Sequence, residues 1–117
     1  MSTGPEPAAG APLRGNVGLT EDDAGPLLRF RGAIDREVVR RFRLTLPPAS
    51  WPARADLSEV TTIDAAGLEL VVHLDRKPRR RGGQLEVLGL PTELRPVLAR
   101  AGLSRLLPNP DGTPTSA

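Results

Sequence analysis

The sequence contains no cysteine and no tyrosine, a single histidine, and three other aromatic residues, Phe30, Phe42 and Trp51. Without cysteine there is no disulfide and no thiolate chemistry, and nothing calls for an oxidising compartment. With His73 alone, a Cys/His pair and a multi-histidine metal site are both excluded. No apolar run approaches the ~20 residues of a membrane helix. No positively charged segment followed by an apolar stretch opens the chain, so a secretory leader is not expected. Few aromatics leave the core to leucine and valine. These absences set the expectation of a cytoplasmic, non-enzymatic protein with no metal and no cofactor.

What is present suffices for one domain with a modest core: 117 residues at a net charge of +2. Acidic and basic residues are interspersed, a balance that favours solubility over nucleic-acid binding. Residues 1–14 and 108–117 are rich in Pro, Gly, Ala and Thr without apolar periodicity, and are expected to be disordered tails around a domain at 15–107.

Within that domain, Val17 and Leu19 alternate in a first strand over Asn16 to Thr20. The run Asp22-Asp23-Ala24-Gly25-Pro26 is turn chemistry, and Leu27 to Ile34 is a second strand, so the two form a hairpin. Asp35 caps a helix from Arg36 to about Leu44, with Val38, Val39 and Phe42 on one face. Pro47-Pro48 stops it. A third strand covers about Arg54 to Leu57. After a short bridge, a helix runs from Ala65 to about Lys77, where Pro78 is expected to end it. Gly82-Gly83 turns the chain into a fourth strand, Leu85 to Leu88. A last helix starts near Pro91 and carries Leu94, Val97 and Leu98, before an apolar closing turn of Leu103, Leu106 and Leu107. The order β-β-α-β-α-β-α predicts an α/β domain: a mostly parallel four-stranded sheet with the helices on one face.

Asp64-Ala65-Ala66-Gly67 is the most informative stretch. Asp64 stands where a side chain can accept hydrogen bonds from the first helical turn, and the same N–H groups attract phosphate. Yet neither Ala65 nor Ala66 has a hydroxyl to phosphorylate. On the helix that follows, Glu69, His73, Arg76 and Lys77 share a polar arc. Leu68, Leu70, Val71, Val72 and Leu74 span more than half the circumference, with Asp75 intruding. That exceeds what one buried stripe needs, leaving apolar surface for a neighbouring helix, a partner or a homodimer. His73 reads as a surface or partner-contact residue, and Trp51 as a cover for one end of the core. Arg76-Lys77-Pro78-Arg79-Arg80-Arg81 reads as a solvated helix end whose cations offset the dipole. Contact with nucleic acid, or with an acidic partner surface, are its weaker alternatives.

The stretch Ala55-Asp56-Leu57-Ser58-Glu59-Val60-Thr61-Thr62-Ile63-Asp64-Ala65-Ala66-Gly67-Leu68 resembles the central motif of STAS domains. Gly32-Ala33-Ile34-Asp35 is similar to the family's Gly-x-hydrophobic-Asp at an earlier strand end. Arg81 to Gly89 resembles its final strand with a Gly-Gly turn, and Val97 to Leu107 its last helix and closing turn. The resemblance implies a STAS-like fold and a protein-binding module, with Asp35, Asp64, Ala65, Ala66, Gly67, Leu68 and Glu69 as the docking surface. Its paired carboxylates would then serve docking and not acid–base chemistry. In anti-sigma-factor antagonists of this type, a kinase that is also the anti-sigma factor phosphorylates the Ser after the Asp, a position held here by Ala65. The resemblance therefore implies binding to an anti-sigma factor without phosphorylation control. Thr61 and Thr62 nearby carry hydroxyls open to modification, though local hydrogen bonding in the loop is the role expected of them. It extends also to the STAS subunit of Mla-type lipid-transport systems, which binds the transporter ATPase.

Overall fold

Residues 15–107 are described by the computed structural model, and the tails expected at 1–14 and 108–117 lie outside them. The chain forms β1 (Asn16–Asp22), β2 (Gly25–Ile34), α1 (Arg36–Thr45), β3 (Arg54–Ile63), α2 (Ala65–Arg80), β4 (Glu86–Leu88) and α3 (Arg95–Arg100), in the predicted order. Short 3-10 turns at Pro48–Ser50, Thr92–Leu94 and Ser104–Leu106 complete it. The sheet runs β1-β2-β3-β4, antiparallel between β1 and β2 and parallel across the other two pairs. It is the mostly parallel four-stranded sheet expected.

The hairpin closes on a two-residue turn: Asp22 pairs with Gly25, whose φ of 124° is accessible to glycine and costly for any other residue. Arg54 clamps the hairpin to β3, its two terminal nitrogens each 2.8 Å from a carboxylate oxygen of Asp22. That guanidinium holds the Asp22 carboxyl down to about 2, and the carboxylate in turn pushes the Arg54 pKa up.

One face of the sheet carries the core. Val17, Leu28, Phe30, Ile34, Ala55, Leu57 and Val60 pack against Val38, Val39 and Phe42 of α1 and Leu70, Val71 and Leu74 of α2, with Leu98 of α3 in the same cluster. Along the opposite face, Arg31 pairs with Glu59 at 2.9 Å and Arg29 with Asp56 at 3.5 Å. Helices therefore cover a single face, as period-two alternation along β2 requires.

Three elements differ from the sequence expectation. β3 does not stop at Leu57 but continues to Ile63, because register shifts opposite Arg29–Arg31 and Gly32–Ala33 each insert an extra residue into it. The first bulge is marked by Asp56, whose side chain accepts the Ser58 N–H at 2.9 Å. Two bulges scramble the alternation that identifies a strand, so the segment reads as a bridge. Next, α2 passes through Pro78 to Arg80. Proline this near a helix end forfeits one hydrogen bond of the last turn, and the Pro78 carbonyl instead accepts the Arg81 and Gly83 N–H groups at 3.0 and 2.9 Å. Finally, the last helix begins as the 3-10 turn Thr92–Leu94 before becoming α-helical.

The broad apolar arc of α2 is largely consumed inside the domain. Leu70, Val71 and Leu74 are buried, and the half-buried Leu68 and Val72 pack against the same cluster. Among the described residues, the large apolar side chains left exposed are Leu19 and Leu44, neither of them on α2. Among the described residues no helix is long and apolar enough to cross a membrane.

Candidate partner-docking corner

Two parallel strands end side by side, and each hands the chain to a helix through an aspartate. Ile34 of β2 is register partner to Ile63 of β3, and the Asp64 N–H donates to the Ile34 carbonyl at 3.1 Å. Asp35 and Asp64 both adopt extended backbone and cap the helices they precede. The Asp35 carboxylate accepts the Val38 N–H at 3.0 Å, and the Asp64 carboxylate accepts the Gly67 N–H at the same distance. Each cap stabilises its helix by about 1 kcal/mol. The fold thus brings the two predicted aspartates to one corner, where both carboxylates are engaged by amide hydrogens.

Gly67 is the floor of this corner. A Cβ there would lie 2.6 Å from Ile63 Cγ1, 3.0 Å from Ile34 Cγ2 and 3.1 Å from the Ile34 carbonyl oxygen. Only glycine lets α2 start this close to the strand ends. Buried as it is, Gly67 shapes the surface from beneath and offers no contact of its own. The remaining residues of the stretch face outward to different degrees: Asp35, Asp64, Ala65 and Glu69 are exposed, Ala66 and Leu68 half-buried and packed partly on the core. Ala65 occupies the first helical position, directly after the cap. Thr61 and Thr62, expected in a loop, instead belong to the bulged end of β3, where both are exposed.

The other end of α2 is chemically distinct. His73 is half-buried, and its Nδ1 lies 2.6 Å from Arg43 Nη2 on α1. A guanidinium can only donate, so Nδ1 is the acceptor and the imidazole is neutral with its proton on Nε2. Burial, then the charges of Arg43 and Arg76, lower the His73 pKa, against a smaller opposing pull from Glu69. Trp51 is buried, as expected of a core cover: it stacks on Phe42 with centroids 5.7 Å apart and donates its indole N–H to the Leu46 carbonyl at 2.9 Å.

Asp75 is the residue whose role the sequence conceals. It intrudes into the apolar arc because it is buried, accepting the Leu85 N–H at 2.7 Å and a hydrogen bond from Arg105. Its partners lie 10 and 30 residues away in sequence, beyond any local pattern.

A family model described as the Mlab STAS domain matches residues 17–108, well over half of the chain. No curated protein matches it. The strand order, the capped strand ends and the family match agree, and the chain belongs to the STAS domain family, whose members have the general character of regulatory, partner-binding modules.

Proposed function

We propose that the protein is a non-enzymatic docking module that binds an anti-sigma factor, as an antagonist no longer subject to phosphorylation. The observation that carries this reading is the exposed Ala65 at the first position of α2, between the capping Asp64 and the buried Gly67. A phosphate on a hydroxyl side chain there would place about two negative charges on the docking corner. Alanine removes that control and leaves the corner permanently in its unphosphorylated form. Asp35, Asp64, Ala65, Ala66, Leu68 and Glu69 form the contact surface, held in shape by Gly67. Two carboxylates already satisfied by backbone amides are better suited to marking a surface than to moving protons. Cytoplasmic residence goes with such a partner.

A second reading is favoured by the description of the matching family model. As the STAS subunit of an Mla-type transporter, the chain would dock on the transport ATPase, a role that also needs no phosphoacceptor. Both readings use the same corner. They separate in a co-purification from native lysate, with the intact chain and its Ala65→Glu variant compared by mass spectrometry. A histidine-kinase-like ATPase held by the intact chain and lost from the variant supports the first reading. A transporter ATPase with its permease, lost in the same way, replaces it with the second. Partners held equally by both proteins overturn the corner as the docking surface.

A further inference from the structure

The docking corner leaves the far end of α2 without a role, and that end is concave. A cavity of about 440 Å³ lies between the C-terminal half of α2 and the segment joining α1 to β3. Arg43, His73, Arg76, Lys77 and Arg80 line it with Trp51, and no carboxylate does. Arg29, Arg31, Arg54 and Arg105 are each paired with a carboxylate, whereas Arg43, Arg76, Lys77 and Arg80 form no ion pair among the described residues. Other cations of the described residues, such as Arg36 and Arg95, also lack an ion pair, but here four of them converge on one concavity. Helix dipoles do not account for it, since a C-terminus supplies only about half a negative charge against four formal positive ones.

The walls are fixed by their own hydrogen bonds. Arg43 reaches across from α1 to His73 at 2.6 Å, and Lys77 donates to the Ala49 carbonyl at 3.1 Å, tying α2 to the connecting segment. Trp51 is a wall and not a stacking platform: its indole N–H is used by Leu46, Phe42 stacks on its ring, and the Arg43 guanidinium sits 5.6 Å from the ring centre. A nucleic-acid base therefore finds no free aromatic face here. Three guanidinium forks and an ammonium around one concavity instead match the oxygens of a phosphate group.

We propose that this cavity binds a small, phosphate-bearing anion, gripped by Arg43, Arg76 and Arg80 with Lys77 adding charge. The site is separate from the docking corner and does not depend on what docks there. His73 reports on it: Arg43 from α1, and Arg76 and Glu69 from α2, are the charges that act on its ring, and an anion offsetting the two arginines favours the imidazolium.

The test is a titration of the full chain, free of any histidine tag, with inorganic pyrophosphate at constant ionic strength. Orthophosphate and chloride serve as comparators. Trp51 fluorescence and the imidazole NMR signals of His73, unique in the chain, are followed together. Saturable binding of pyrophosphate, with the His73 titration moving to higher pH, is the expected result. Losing two charge-assisted contacts in the Arg76→Gln/Arg80→Gln variant weakens that binding by about tenfold or more, while thermal unfolding stays unchanged. A non-saturating response matched by chloride overturns the proposal, as does undiminished affinity in the double variant. Preferential binding of single-stranded oligonucleotide or phosphatidylglycerol vesicles over pyrophosphate overturns it in favour of a macromolecular or membrane surface.

Discussion

The buried carboxylate of Asp75, on the core side of α2, accepts the backbone N–H of Leu85 at 2.7 Å, so the helix fixes where the chain re-enters the sheet as β4. Arg105 closes the same cluster from the final turn, and Arg79 stands 3.7 Å away. Asp75→Ala strands a buried amide hydrogen and is expected to destabilise by about 1–3 kcal/mol. Asp75→Asn keeps an acceptor for Leu85 but loses the charge facing Arg105, and falls between wild type and the alanine variant. Arg79→Ala, removing a long and exposed contact, costs well under about 1 kcal/mol. Urea unfolding midpoints at neutral pH check this order, and an Arg79 variant as weak as Asp75→Ala would contradict the account of the cluster.

Gly67→Ala sets helix propensity against space. Alanine gains about 1 kcal/mol over glycine inside a helix. Its Cβ, however, would sit 2.6 Å from Ile63 and 3.1 Å from the Ile34 carbonyl, the acceptor of the Asp64 N–H. Overpacking of this kind costs about 1–3 kcal/mol. A net loss of about 1 kcal/mol is expected, lowering the melting temperature by several degrees for a domain of this size. Calorimetry reads the sign directly: a stabilised variant would mean that Ile63 and Ile34 yield freely.

Much of this fold is visible in the sequence because its signals are local. Asp35 and Asp64 announce two helix starts, and the alternation in Leu27 to Ile34 gives the central strand its two faces. The second half of β3 is not visible, since two bulges break its alternation at Ser58 and again before Thr62. Pro78 misleads for a different reason: its penalty is large in mid-helix and small in a last turn whose carbonyls are taken up by Arg81 and Gly83. At the docking corner the residue types are legible, but the inward position of Gly67 follows from packing against Ile34, more than thirty residues upstream. The basic cavity is only half legible. The run from Arg76 shows in the sequence, whereas the contribution of Arg43 requires α1 to lie beside α2.

His73 makes stability depend on pH in a definite direction. Its pKa in the folded protein is lowered from the ordinary 6.5, by burial first and by Arg43 and Arg76 next. Between the folded value and 6.5 the unfolded chain binds more protons than the native one, so stability rises with pH there. The contribution is complete above the unfolded value and is lost as pH falls through the folded one. Acidification from about pH 7 to about pH 5 should therefore lower the unfolding midpoint of the wild type more than that of His73→Gln. Parallel profiles for the two proteins would show that the ring is not held neutral by its neighbours.

Ala65 separates docking from folding, because the physical chemistry of its position pulls the two in opposite directions. It is exposed at the first turn of α2, where the helix dipole favours negative charge by about 0.3–1 kcal/mol. Ala65→Glu is accordingly expected to keep or slightly raise the melting temperature. The same charge lies beside Asp64 on the proposed contact surface, and is expected to weaken partner binding by about tenfold or more. Ala65→Ser tests the lost switch: with an anti-sigma kinase and ATP, phosphate is expected at Ser in the variant and nowhere in residues 61–67 of the wild type, by mass spectrometry. Phosphate on Thr61 or Thr62 of the wild type would show that control has moved along the chain. Unchanged affinity of a folded Ala65→Glu protein would place the docking surface elsewhere.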